Sequence, residues 1–254
     1  MDVFITGSSD GLGFLAGKAL AEQGHSVVLH ARNEAKAREV KGKLPGCEAV
    51  VIGDVSTMAA MKSVADQVNA LGRFDAVIHN VAIGTNEERV VTADGITQIF
   101  AVNVVAPYVL TALISQPDRL IYLSSDMHEG GSESLDDPQW ERRAWNSHQA
   151  YSDTKLHDLT LSLYLARRWP QVLVNAVNPG WVQTRMGGRN APGNALDGAM
   201  TQAWLAVSED PSAKVSGFYF HHQEQHAFKR SASRAEVQER LIEYLEQITR
   251  IKLP

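Results

Sequence analysis

Two kinds of apolar run alternate along the 254-residue chain. Short runs rich in β-branched residues occupy Val3–Thr6, Ser26–His30, Ala49–Ile52, Ala76–His79, Leu120–Leu123, Leu173–Val177 and Gly217–Phe220. They predict buried strands. Longer stretches with a helical period lie between them, at Phe14–Gln23, Glu34–Lys43, Met58–Leu71, Ile96–Leu113, Ala150–Trp169 and Leu196–Val207. An amphipathic stretch over Arg234–Ile248 predicts a C-terminal helix. Alternating strands and helices, with the strands almost continuously apolar, predict parallel strands joined by crossover helices. The fold class is α/β: a three-layer, doubly wound parallel sheet of about seven strands.

Punctuation agrees with this pattern. Pro170 ends the helix that reaches Trp169, and Thr57 suits the N-cap of the Met58 helix. No repeat, low-complexity tract or composition shift divides the chain, so residues 1–254 read as a single domain. One stretch resists the pattern: residues 126–148 are polar and acidic, with tryptophans at 140 and 145. A loop of this length is usually functional or disordered. It reads as an insert near the substrate.

Composition narrows the function classes. The chain is 44% hydrophobic and 21% charged, with net charge −5, as in an ordinary globular protein. No basic bias points to nucleic acid or an anionic membrane. No apolar run reaches membrane-spanning length, and the first strand begins almost at Met1, leaving no signal-peptide pattern. Cys47 is the only cysteine, so no intrachain disulfide forms. A cytoplasmic location is expected.

The first strand runs directly into TGSSDGLG, residues 6–13, and a helical pattern follows. Gly7 suits a tight turn, Gly11 a close backbone approach to an anion, and Gly13 close packing of the helix. The helix start offers unpaired N–H groups and a positive dipole end to a pyrophosphate. The spacing is G-x-x-x-G-x-G rather than G-x-G-x-x-G. Its strand–loop–helix context still points to a Rossmann-type dinucleotide site, against the plainer reading of a glycine-rich turn. The second strand ends in VVLHARN, residues 27–33. A cofactor with a free ribose 2′-OH is normally met there by a carboxylate, whereas the guanidinium of Arg32 suits a 2′-phosphate. NADP(H) is expected, with NAD(H) the alternative.

Tyr151 and Lys155 stand four apart on a predicted helix and share a face. A free tyrosine has a pKa near ~10, and a neighbouring ammonium lowers it by stabilising phenolate. Such a phenol can deliver a proton to a carbonyl oxygen as hydride reaches carbon. Ser124 and Ser125 close the strand YLSS on the ligand-binding edge. Asn103 lies inside the apolar run IFAVNVVAPYVL, either as a helix-stabilising polar residue or as part of a relay to Lys155 through water.

Taken in order, these pieces resemble the short-chain dehydrogenase/reductase family from Val3 to about Phe220. TGSSDGLG resembles its T-G-x-x-x-G-x-G loop, which implies cofactor contacts from Gly7, Ser9, Asp10, Gly11, Leu12 and Gly13. The HARN strand end implies further contacts from Arg32 and Asn33. GDVS resembles the adenine-contacting pair, here Asp54 and Val55. HNVA stands where the family has N-N-A-G, which assigns Asn80, Val81 and Ala82 to the cofactor and leaves His79, Val81 and Ala82 off-pattern. NPGWVQT resembles the segment that closes over the nicotinamide, implying Pro179, Gly180, Val182 and Thr184. YSDTK matches the Tyr-x-x-x-Lys signature. The resemblance makes Tyr151 the acid or base and has Ser125 hydrogen-bond the carbonyl oxygen. Lys155 binds the nicotinamide ribose, and Asn103 positions a relay water. The 26-residue spacing of Ser125 and Tyr151, the HARN strand end and SGFYF near the last strand look like the retinol dehydrogenase and WW-domain oxidoreductase branch.

The expected function is hydride transfer between NADP(H) and a carbonyl or alcohol of a small, apolar molecule. A non-catalytic NADP(H)-binding sensor or scaffold is the alternative. Asp10 occupies a place often basic or neutral in phosphate-preferring members, so it opposes Arg32 in the choice of cofactor. Candidate substrate residues are Asp126, Met127, His128, Trp181 and Met186. Trp140 and Trp145 either line the site or pack the insert. His221, His222 and His226 lack the carboxylate or cysteine companions of a metal centre, and no metal is expected. Family resemblance favours a homodimer or homotetramer through the Ile96 and Ala150 helices.

Overall fold

The computed structural model describes residues 1–85 and 88–254. Its strands are β1 Asp2–Ile5, β2 Ser26–Ala31, β3 Ala49–Ile52, β4 Ala76–His79, β5 Arg119–Leu123, β6 Leu173–Val177, β7 Tyr219–His221 and β8 Glu224–His226. They form one sheet in the order β3-β2-β1-β4-β5-β6-β7-β8. All neighbours pair in parallel except β7 and β8. The order reverses at β1 and β4, and the crevice beyond that switch point is where such sheets take ligands.

The helices are α1 Gly11–Glu22, α2 Glu34–Lys43, α3 Met58–Leu71, α4 Gln98–Phe100, α5 Ala106–Leu113, α6 Ser147–Arg168, α7 Ala195–Val207 and α8 Ala235–Thr249. Alternate strand residues feed two cores. Val3, Ile5, Val27, Leu29, Ile78 and Ile121 pack with Ala16 and Leu20 of α1 and Ala199 and Ala203 of α7. Phe4, Val28, Val77, Leu120 and Val174 pack with α3, α5, α6 and α8. Burial on both faces explains why the strands read as unbroken apolar runs.

Three elements depart from the sequence pattern. The sheet has an eighth strand, β8, where about seven strands are expected. It joins β7 through a tight turn with positive φ at His222 and Gln223. The expected Ile96–Leu113 helix runs unbroken from Gln98 to Leu113 but carries a π-turn at Ala101–Val105 between α4 and α5. The 126–148 stretch begins with a 3-10 turn at Asp126–Gly130, and α6 starts at Ser147.

Every α6 residue from Ser152 to Leu165 is buried. The covering comes from the chain itself. Leu241, Ile242 and Leu245 of α8 join the core, Tyr244 packs edge-on against Phe100 at 5.9 Å, and the tail is tied down by Tyr108 Oη donating to the Ile251 carbonyl at 2.8 Å.

Candidate active site

The glycine loop is held by side chains beneath it. His30, at the end of β2, accepts the Gly7 N–H at Nδ1 (2.9 Å) and donates from Nε2 to the Gly53 carbonyl (2.8 Å). Both bonds together require the neutral ring, and burial keeps its pKa low. Asn80 donates from Nδ2 to the carbonyls of Thr6 and Gly7, each at 3.0 Å. The Thr6 hydroxyl accepts the N–H groups of Asn80 and Val81, again at 3.0 Å. Gly7 has φ +60, and a Cβ there would meet Val81 Cα at 2.8 Å, so both turn and packing demand glycine. A Cβ on Gly13 would meet Asn80 Nδ2 at 2.5 Å, so its close approach is to the loop rather than to the sheet.

The start of α1 offers donors. Asp10 is its N-cap but makes no side-chain cap bond, and the first helical bond runs from the Phe14 N–H to the Asp10 carbonyl at 3.2 Å. The Gly11, Leu12 and Gly13 amides therefore face out of the helix end, and no protein atom would crowd a Cβ on Gly11 within 4 Å. Ser9 lies in the same turn, half-buried.

Arg32 is exposed just beyond β2. Asn33 caps α2, its Oδ1 accepting the Lys36 N–H at 3.0 Å. Lys36, which the sequence reading passed over, brings its ammonium within 3.8 Å of the Asp10 carboxylate, and Arg185 is near enough to repel it. Asp10 turns outward, as an exposed residue facing this cation. Asp54 accepts the Ser56 N–H at 3.1 Å, while the Val55 side chain is buried in the core.

The catalytic candidates converge between β5 and α6. Asn103 sits at the centre of the π-turn, fully buried. Its Oδ1 accepts the Ile83 N–H at 2.8 Å, and its Nδ2 donates to the Ile83 carbonyl at 3.0 Å and to Thr154 Oγ1 at 3.1 Å. The side chain thus clamps the segment after β4 to the YSDTK helix. Ser124 donates to the Lys155 carbonyl at 2.9 Å, fastening the same helix to the end of β5. Ser125 follows at the strand end, donating to Asp126 Oδ1 at 3.1 Å and accepting the Met127 N–H at 3.2 Å. Tyr151 is half-buried and packs against the cluster of Ile99, Trp140 and Ala150, which Ile83 and Trp145 also join. The Lys155 ammonium lies 5.8 Å from the centroid of that ring, donating to the Leu123 carbonyl and to Asp158 Oδ2.

His128 does not line the cleft. It is 1% exposed, donates from Nδ1 to the Ser125 carbonyl at 2.6 Å, and accepts the Lys229 N–H at Nε2 at 3.2 Å. Both ring nitrogens are committed to bracing Ser125 against the C-terminal region, so its candidacy as a substrate residue is corrected. Trp140 is likewise a packing residue, buried, edge-on to Trp145 at 5.4 Å and under the Arg143 guanidinium at 3.5 Å. Asp153, a variable position of the signature, anchors the insert. It accepts from Ser132 N–H at 2.8 Å, Gln149 Nε2 at 2.7 Å and Arg143 at 3.0 Å. Asp126 is exposed and Met127 half-buried at the mouth.

The opposite wall is the segment after β6. Gly180 turns with φ +78 and donates its N–H to Asn178 Oδ1 at 2.9 Å, beside the Pro179 peptide. Val182 is buried, and Thr184 Oγ1 accepts the Gly187 N–H at 3.0 Å. Trp181 and Met186 are 61% and 51% exposed, with Met186 lying over Gly84. Ala82 is half-buried. A surface groove of about 570 Å³ lies at the other end of the sheet, among Ser115, Gln116, Trp169, Gln171 and Pro254, and holds none of this chemistry. Among the described residues, no group of His, Cys, Asp and Glu could hold a metal ion, and no helix is long and apolar enough to cross a membrane.

A family model described as enoyl-(acyl carrier protein) reductase matches residues 7–213. The chain is 43% identical over 258 residues to an uncharacterized oxidoreductase of Emericella nidulans, covering 99% of this chain and 98% of the relative. It is 40% identical to the short-chain dehydrogenase chry4 of Gibberella zeae, over 99% and 98% of the two chains. The chain belongs to the short-chain dehydrogenase/reductase family. Human retinol dehydrogenase 13 is 30% identical over 94% of this chain and 81% of its own, in keeping with the retinol dehydrogenase-like features. The crystal structure of an uncharacterized Mycobacterium paratuberculosis protein superposes with a TM-score of 0.87 at 25% identity, over 100% of this chain and 94% of the other.

This short-chain dehydrogenase/reductase is an oxidoreductase of the CH–OH/C=O class. The family's nicotinamide cofactor fits the site on its own geometry: free amides at the start of α1, open space at Gly11, and a loop pinned from below by His30 and Asn80. The signal for His30 was in the sequence as a polar residue inside an apolar run, and Thr6 closes the first such run, whereas Thr154 stands among polar residues and carries no such signal. Their partners were not in the sequence pattern, because each bond crosses from one element to another.

Proposed function

We propose that the chain transfers hydride between NADP(H) and a carbonyl or alcohol of a small, apolar or aromatic substrate, with Tyr151 as the acid or base. The observation that carries this reading is the double fastening of the YSDTK turn. Ser124 holds the Lys155 carbonyl at 2.9 Å and Asn103 holds Thr154 at 3.1 Å, so the signature helix stands fixed beside Ser125. Preorganised groups of this kind suit proton transfer at a polarised oxygen.

In this reading the Ser125 hydroxyl releases Asp126 and holds the substrate oxygen. The Tyr151 hydroxyl passes its proton to that oxygen in reduction and recovers it in oxidation. Lys155 supplies positive charge beneath the phenol and reaches the ribose. Gly7, Gly11, Leu12 and Gly13 hold the pyrophosphate by backbone, and the Val81 and Ala82 segment flanks it. Bound there, the nicotinamide would supply or accept the hydride. NADP(H) is preferred in this account because Arg32 and Lys36 offer positive charge at the adenosine end while Lys36 meets the charge of Asp10. Exposed Trp181 and Met186 at the mouth favour an apolar or aromatic substrate.

Fluorescence titration with NADPH and NADH, followed by turnover on a panel of ketones and aldehydes, tests the reading. Tight NADPH binding with reduction is expected. Tight binding without reduction of any carbonyl would favour the sensor instead.

A further inference from the structure

Asp158 lies one helical turn beyond Lys155 on α6, with Oδ2 at 3.5 Å from the Lys155 ammonium. Both side chains are 2% exposed. Asp158 Oδ1 has no hydrogen-bond partner among the described residues. A buried carboxylate with one counter-ion and one unmet oxygen is a costly thing to place in a core. Its helix neighbours Leu156 and Leu159 fill apolar positions, so packing alone does not call for a charge here. The carboxylate and the Leu123 carbonyl together hold the ammonium in the buried interior, 2% exposed.

We propose that Asp158 is a positioning residue that sets how much of the Lys155 charge reaches Tyr151 and a bound cofactor. The inference rests on the reading of Tyr151 and Lys155 as the acid–base pair. With Asp158 ionised, the ammonium is held inward and its field is partly cancelled. With Asp158 protonated, the full charge acts on the phenol and on the cofactor's ribose and phosphates. Burial pushes the Asp158 carboxyl up to about 7, so both states exist near neutrality.

The other groups around Asp158 keep their charge through this range. Tyr122 of β5 feels the Asp158 charge, and burial raises its pKa further, so it stays neutral. Its hydroxyl meets Thr111 of α5, which also bonds His79 Nε2 of β4. His79 is pushed down to about 3, and His157, the preceding residue on α6, to about 4, both by burial. These three are neutral from pH 5 to 9, leaving Asp158 to change.

The test compares the wild type with Asp158→Asn, which keeps the shape and removes the charge. NADPH affinity is measured by fluorescence titration at pH 6 and pH 8, and kcat for alcohol oxidation is measured across pH. The proposal expects Asp158→Asn to bind NADPH severalfold more tightly than wild type at pH 8 and equally at pH 6. It also expects the rising limb of the kcat profile to move to lower pH by about half a unit or more. The same affinity ratio at both pH values, with an unmoved limb, overturns it. If wild type turns over no alcohol or carbonyl, the acid–base reading fails, and the NADPH comparison still decides the role of Asp158. Asp158→Ser is the second variant. Failure of both to fold also overturns the proposal, because it would make the carboxylate a structural group.

Discussion

Nδ1 of His30 accepts the Gly7 amide proton at 2.9 Å, joining the end of β2 to the first turn of the glycine loop. The ring's other nitrogen reaches Gly53 at the end of β3, so one imidazole ties three strand ends together at the glycine-loop edge of the sheet. Replacing it by alanine leaves the half-buried Gly7 amide without its partner and opens a cavity. His30→Ala is expected to lower stability by about 2–4 kcal/mol. NADPH affinity is expected to fall about tenfold through loosening of the loop. Urea denaturation and fluorescence titration of the variant check both effects.

Stability should rise with pH from about 4 to 6.5. His30, His79 and His157 are buried neutral with lowered pKa values, His79 at about 3 and His157 at about 4. Their unfolded forms take up protons near pH ~6.5, so this stabilisation is complete above that pH and is lost as pH falls toward the folded values. Asp158 has the opposite sign. Its raised pKa, about 7, favours the folded state below ~4 and loses that contribution as pH rises through 7. Three groups outweigh one, each worth at most about 1.4 kcal/mol per pH unit inside its window. Urea midpoints measured from pH 4.5 to 7.5 should climb to about 6.5 and then flatten or decline slightly.

Cofactor choice should depend on Arg32 first and Lys36 second. Arg32→Ala is expected to weaken NADPH by about tenfold to a hundredfold, the range of a charge-assisted phosphate contact, and to leave NADH within about threefold. Lys36→Ala should weaken NADPH by a smaller factor, because its ammonium is shared with Glu39 at 2.8 Å and with Asp10 at 3.8 Å. Paired NADPH and NADH titrations of both variants provide the check. Equal loss of the two cofactors would remove the 2′-phosphate role.

The protein should be a monomer in dilute solution. Dimerisation through the Ile96 and Ala150 helices would need an open face on α6, but Ser152 through Leu165 are all buried and α8 lies across them. Light scattering coupled to size exclusion should give the mass of one chain, 27.8 kDa, whereas a dimer mass would place the interface elsewhere. Removing residues from 235 onward would expose Leu241-facing core and is expected to cause association or loss of the fold.

What could be read from the sequence was what repeats along it. Buried strands such as Val27–Leu29 and the glycine loop announce themselves by local pattern, and Tyr151 and Lys155 by spacing. The π-turn at Asn103 could not be seen, since Ala101–Val105 has the same apolar character as the helices on either side. Strand β8 was missed because Glu-Gln-His is short and polar and pairs only at the sheet edge. His128 reads as a cleft residue from sequence because it closely follows Ser125. Its committed nitrogens depend on Lys229, a residue brought in from the far end of the chain.

The central claim is that Tyr151 exchanges the proton while the surrounding loop binds the cofactor. Steady-state reduction of a turned-over carbonyl by wild type and Tyr151→Phe, alongside NADPH titration of both, tests it most directly. The account predicts a fall in kcat of about a hundredfold or more, the size of a lost general acid, with NADPH affinity changed by less than about threefold. Turnover by Tyr151→Phe at the wild-type rate would contradict it.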